Sequence, residues 1–168
     1  YGLEVFRYYL LREMSVGQDA NFSEVGLVTR NNTELANDLG NLVQRTTALV
    51  HKHFDSQVPT LPEDRDPSPL LTSAIHLASY LCGEDTPFEL TRSAQQAWPV
   101  EKTVDELKLH VTLADIMTLV QRLNQVLASD QPFKTVKTDK DAAAVTVYHA
   151  LEGIRIAANL LWPAIPHT

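Results

Sequence analysis

Asn41 and Arg45 stand one helical turn apart in the stretch LANDLGNLVQR, Leu35 to Arg45. An asparagine amide donates and accepts hydrogen bonds at once, and an arginine guanidinium offers a planar fork of donors that also stacks on flat rings. Together they suit the reading of unstacked nucleotide bases. The same pair has a plainer use, the amide serving neighbouring backbone and the guanidinium closing a surface ion pair, because most side-chain hydrogen bonds serve structure. Geometry alone favours that plainer use. Asn37, Gly40 and Asn41 are poor helix formers, crowded into a stretch whose apolar spacing is helical.

The element that would carry the pair can be drawn from that spacing. At about 100° per residue, Leu35, Leu39, Leu42, Thr46, Leu49, Val50 and His53 fall within about 60° of one line, the expected core stripe. Asn41 lies about 120° from that line and Arg45 about 80°, on the same shoulder. They sit at the edge of a buried face. The spacing predicts that this helix runs to about Phe54, with Asn31 and Glu34 forming a capping box where it restarts or bends.

Elsewhere the periodicity is helical almost throughout. A first helix is expected from Glu4 to Met14, with Val5, Phe6, Tyr9 and Leu10 inward. Gly17, Asp19 and Asn21 make a turn, and Ser23 is a candidate N-cap. Pro59, Pro62, Pro67 and Pro69 mark a loop. Helices are then expected over Leu70 to Leu81 and after the capping box Thr86 to Glu89, the second closed by Pro99. Thr103 and Glu106 open a long helix to about Ser129, with Leu107, Val111, Ile116, Leu119 and Leu123 in the core, and SDQPF ends it. A last helix runs from about Asp141 to Trp162 and stops at Pro163. Five to seven helices and no strand predict an all-α antiparallel helical bundle, a single domain over 1–168.

Composition bounds the function. At 168 residues and 44% hydrophobic, the chain can build a real core. Its net charge of −7 argues against a generally basic nucleic-acid coat. His51, Lys52, His53, Lys134, Lys137 and Lys140 could still supply local positive charge, although each alone reads as solvated surface. One cysteine, Cys82, excludes an internal disulfide and fits a reducing, cytoplasmic setting. No apolar run reaches membrane-span length. His51, His53, His76 and Cys82 lack metal-site spacing, so no metal is expected, and no glycine-rich phosphate loop occurs. Cys82, Trp98 and Trp162 are expected in the core.

The run from Gly2 through Arg45 closely resembles the start of the anticodon-binding helical domain of class I methionyl-tRNA synthetases. The matching residues are Gly2 and Arg7 to Glu13, then Gly17, Asp19, Phe22 and Ser23. Arg30, Asn32, Leu35 to Leu42 and Arg45 continue the pattern. DIMTLVQRLNQVLASDQPF is similar to a family helix that bears an asparagine and is followed by a Pro-Trp pair. LEGIRIAANLLWPAIPHT resembles the family's closing helix. Three departures stand out. Glu4 replaces a usual alanine and the preceding aspartate is missing; segment 55–100, a Pro-rich loop and enlarged helical connection, is longer than the pattern; and the Pro-Trp pair is Pro132-Phe133.

The resemblance implies a function. The parent enzyme would be a methionine–tRNA ligase using ATP with Mg, joined in the same polypeptide to its catalytic domain. The family's HIGH and KMSKS signatures do not occur in these residues, so the chain alone is expected to carry no catalytic residue and no cofactor. Its part would be to bind the CAU anticodon loop of methionine tRNA through Asn41, Arg45 and Phe133, with neither DNA nor membrane as partner. The rival from another class is a synthetase-derived helical protein–protein module without tRNA recognition, favoured by the enlarged 55–100 segment and the acidic charge.

Overall fold

The structure, a computed structural model, describes residues 1–61 and 108–167. Among these residues there are six α-helices, one π-helical stretch and no strand. The elements are α1 (Leu3–Glu13), α2 (Glu24–Arg30), a π stretch (Asn31–Gly40), α3 (Asn41–His53), α4 (Leu109–Asp130), α5 (Pro132–Thr135) and α6 (Lys140–Leu161). The expected helical bundle is the observed fold. The expectations for Leu70 to Leu81, Thr86 to Glu89, Pro99, Thr103, Glu106 and Leu107 lie outside the described residues, as do His76, Cys82 and Trp98. No helix among the described residues is long and apolar enough to cross a membrane.

The bundle's spine is the hairpin of α4 and α6. Thr146 Oγ1 donates to Asp130 Oδ2 at 3.0 Å near the turn. Further along, Gly153 lies against the Leu123 side chain. Both contacts pair a later residue of one helix with an earlier residue of the other, so the helices are antiparallel. Gln131, with a left-handed φ of 45°, ends α4, and Pro132 opens the short α5 that turns the chain. The N-cap of α6 is Asp139, whose side chain accepts from the Ala142 amide at 2.9 Å. Leu42 of α3 joins Ile116, Met117, Leu119, Val120, Leu123 and Leu127 of α4 and Ile156, Ala157 and Leu161 of α6 in one core. Ile116, Leu119 and Leu123 are therefore buried as the spacing predicts.

Two expectations for α1 and α6 are corrected. Tyr9 is buried as expected, but the aromatic buried beside it in α1 is Tyr8, 0% exposed, and not Phe6, which is 41% exposed. Tyr8 tolerates this depth because its hydroxyl donates to the Glu34 carboxylate at 2.6 Å, so no polar group is left unpaired. Trp162 is 63% exposed rather than core. The inward line of α6 ends on Ala157 and Leu161, and Ala158 and Trp162 lie one step round on the outer side.

Ser23 caps α2 as expected, its Oγ accepting from the Gly26 amide at 3.1 Å. The capping box at Asn31 does not form. Asn31 is helical (φ −57°, ψ −48°), and the helix does not restart there but continues from Glu24 to His53 through the π stretch. Glu34 bonds to Tyr8 and two arginines instead. π-Helical hydrogen bonds span one residue more than α bonds, and such turns are rare and frequent at functional sites. At the end of the stretch the backbone N–H of Asn41 donates toward the Ala36 and Asp38 carbonyls. Side chains take up nearby carbonyls: Thr33 Oγ1 donates to Thr29 O at 2.7 Å, and Asn124 Nδ2 of α4 donates to Asp38 O at 2.9 Å. Competing donors and poor helix formers coincide here.

Candidate nucleic-acid interface

The π stretch and α3 run beside α4, and two adjoining cavities open where they meet. The first, about 630 Å³, is lined by Asn37, Asp38, Asn41, Arg45, Gln121, Asn124 and Gln125. The second, about 460 Å³, is lined by Arg45, Ala48, Leu49, Lys52, His53, Leu127, Pro132, Phe133 and Lys137. Arg45 belongs to both. One cavity is a ring of side-chain amides, and the other is an aromatic and aliphatic hollow rimmed with cationic groups. A flat heterocycle with donors and acceptors on its edge fits the first, and a stacked ring with an anionic link fits the second.

Each lining group is held from a rigid element. Asp38 is fixed twice from α4: Gln121 Nε2 donates to its carboxylate at 2.8 Å, and Asn124 Nδ2 donates to its carbonyl. Asn124 also reaches Val120 O at 3.3 Å, so its amide nitrogen is fully engaged. Asn41 and Arg45 are exposed, and among the described residues neither makes a side-chain hydrogen bond or ion pair. The plainer use of the pair is thus not the one adopted within the described residues. Phe133 is 45% exposed on α5, with Lys134 Nζ 5.7 Å from its ring centroid. The buried Pro132 before it anchors that corner to the core.

The three sequence-expected residues are brought together unequally. Arg45 and Phe133 share a cavity, and Asn41 lies next door across Arg45. Of the basic residues, Lys52, His53 and Lys137 line the aromatic cavity. His51 pairs with Ser56 Oγ at 2.8 Å, and Lys140 lies over the Phe54 ring at 5.6 Å. Sequence reasoning missed Asn37, Gln121, Asn124 and Gln125 as lining residues. Asn37 was within reach, since Asn37, Asn41 and Arg45 repeat at one-turn spacing. Gln121, Asn124 and Gln125 carried the same spacing on α4, but no local signal says which helix lies beside it. Among the described residues no group of three or more histidine, cysteine or carboxylate side chains is placed to hold a metal ion.

Comparisons with known proteins bear on the chain's family and fold. Residues 1–47 match the family model described as tRNA synthetases class I (M). Residues 88–168 match that of the anticodon binding domain of methionyl tRNA ligase. The methionine–tRNA ligase of Rickettsia conorii is 34% identical over 169 residues, which are 99% of this chain and 30% of that protein. The Bacillus subtilis enzyme is 34% identical over 173 residues, 100% of this chain and 23% of that protein. The chain therefore spans less than a third of these relatives. Among solved structures, the apo form of Mycobacterium tuberculosis methionyl-tRNA synthetase superposes with a TM-score of 0.81 at 33% identity, over 98% of this chain and 30% of that one. Its methionyl-adenylate complex superposes equally well, over 99% of this chain. The chain belongs to the methionyl-tRNA synthetase family, of which it is the anticodon-binding helical domain.

Proposed function

We propose that this chain recognises the CAU anticodon of methionine tRNA, and that Asn41, Arg45 and Phe133 carry the recognition. The observation that carries the reading is the position of Arg45. Unpaired within the described residues, it forms the wall between an amide-lined cavity and an aromatic, basic one. Two neighbouring splayed bases can occupy those cavities, one read on its edge by Asn41 and one stacked on Phe133, with the guanidinium plane between them. Lys52 and Lys137 then meet the backbone phosphates, which position without specifying. The acidic total does not oppose this, because Arg45, Lys52 and Lys137 supply local positive charge at the aromatic cavity.

In the parent protein the same polypeptide supplies a catalytic domain that joins methionine to the tRNA with ATP and Mg, in the cytoplasm. Tyr1, Leu3, Phe6, Phe22 and Val25 leave exposed apolar surface around α1 and the start of α2, within the segment matched by the class I synthetase model. That surface suits contact with the catalytic domain. The test is direct titration of this chain with an anticodon stem-loop RNA carrying CAU and with one whose anticodon is altered. Tighter binding of the CAU loop supports the reading. Equal binding, or none, leaves the helical protein-interaction module as the better account.

A further inference from the structure

The most heavily bonded buried carboxylate among the described residues lies inside the π stretch and outside the two cavities. Glu34 is 6% exposed and accepts from three side chains: Tyr8 Oη at 2.6 Å, Arg12 Nη2 at 3.1 Å and Arg30 Nη1 at 2.5 Å. Arg30 also donates to Glu13 at 2.5 Å, so the two guanidiniums face two carboxylates. Arg12 reaches further, its Nη1 lying 3.4 Å from the His110 carbonyl at the start of α4. Burial and then the Glu34 carboxylate push the Tyr8 hydroxyl far above its ordinary pKa, so it remains a donor. Glu34 thus ties the π stretch to α1, α2 and, through Arg12, α4.

One turn later a second clamp holds the same stretch, where Gln121 and Asn124 grip Asp38. Both clamps act on side chains or carbonyls within Asn31–Gly40; Asn37 lies between them, and Asn41 and Arg45 follow directly. Register matters there. Losing the extra residue of a π turn rotates everything beyond it by about one residue's turn, on the order of 100°. That rotation would carry Asn41 and Arg45 off the cavity rim while leaving α3 helical.

We propose that Glu34 is a positioning residue for the base-reading face: its carboxylate, held by Tyr8, Arg12 and Arg30, keeps Asn31–Gly40 in π register and so sets where Asn37, Asn41 and Arg45 point. The inference rests on the reading of those residues as anticodon-recognising. It also links α1 to the reading face, since Tyr8 and Arg12 belong to α1.

The experiment measures affinities of this chain for the CAU stem-loop and an altered-anticodon stem-loop, in the unsubstituted protein and in Glu34→Gln and Tyr8→Phe. Glu34→Gln keeps the shape and removes the charge; Tyr8→Phe removes one donor and keeps both arginines. Far-UV circular dichroism and cooperative unfolding show that each variant is folded. The ratio of the two affinities is the readout, because lost stability alone lowers binding of both RNAs alike. In Glu34→Gln the ratio is expected to fall about tenfold, the scale of one lost base contact, and in Tyr8→Phe by less in the same direction. Should Glu34→Gln fail to fold, Tyr8→Phe decides alone. Folded variants that keep the original ratio overturn the inference and leave the anticodon reading standing. An unsubstituted chain that does not distinguish the RNAs overturns both.

Discussion

Arg45 is the first residue to test at the scale of single residues, because it is the one side chain that lines both cavities. Asn41→Ala and Arg45→Ala should each weaken binding of the CAU stem-loop by about 1–3 kcal/mol, the usual worth of a good side-chain contact to a base. Both side chains are exposed, so thermal stability should stay within about 0.5 kcal/mol of the unsubstituted chain. Loss of stability parallel to loss of binding would make the pair structural. Phe133 tests the aromatic cavity separately. Phe133→Ala should cost about 1–3 kcal/mol of RNA affinity, and Phe133→Trp should strengthen binding, since indole offers more stacking area than phenyl. If both substitutions leave the titration unchanged, the ring is not a platform. Asn41 and Arg45 drew attention in the sequence by their chemistry, but that chemistry alone favours the plainer use, and the family resemblance is what singles them out as base readers. Glu34 was misread for a related reason. Its spacing from Asn31 suits a cap, and nothing local reveals that Tyr8 and Arg12 compete for its carboxylate.

The elements were mostly legible, since amphipathic spacing and turn residues mark helices whatever they pack against. The π stretch was not. Leu35, Leu39 and Leu42 suit either helix type over so short a span, and part of what supports the wide turn comes from α4, more than eighty positions away in sequence. Asn124 is the key to that support. Asn124→Leu should cost about 1 kcal/mol of stability through the lost hydrogen bond to Asp38 O. It should also lower CAU discrimination, because the amide-lined wall is then no longer held. Denaturant unfolding and RNA titration of the same variant check the two effects independently. The α4–α6 contact supplies a control in the core, at residues that line neither cavity. An alanine Cβ at Gly153 would sit 2.6 Å from Leu123 Cδ1, inside a core where Leu123 is buried. Gly153→Ala should therefore destabilise the chain by about 1–3 kcal/mol, as overpacking does, while the folded variant keeps its ratio of RNA affinities. A neutral effect on the unfolding midpoint would mean that Leu123 has room to turn aside.

For the whole molecule, the distribution of charge matters more than its sum, and pH probes it. His149 of α6 is buried, its Nε2 without a hydrogen-bond partner among the described residues, and burial holds its pKa below the ordinary 6.5. Above pH 6.5 the imidazole is neutral whether the chain is folded or not, so this residue gives stability no pH dependence there. As pH falls below 6.5, the unfolded chain takes up a proton that the folded chain resists. The unfolded state then binds more protons, and stability falls with falling pH until the folded-state pKa is passed. Glu152 acts in a separate window. Its hydrogen bond from Arg155 lowers its pKa below the ordinary 4.5, so its contribution is present above that value and fades only in stronger acid. The unfolding midpoint should accordingly drop between pH 7.5 and pH 5.5, and His149→Gln should remove part of that drop while leaving the steeper loss in acid intact. Thermal unfolding of both proteins across this range separates the groups. If His149→Gln follows the unsubstituted chain down to pH 5.5 without divergence, the buried imidazole does not resist protonation, and the acid sensitivity of the bundle lies in other groups.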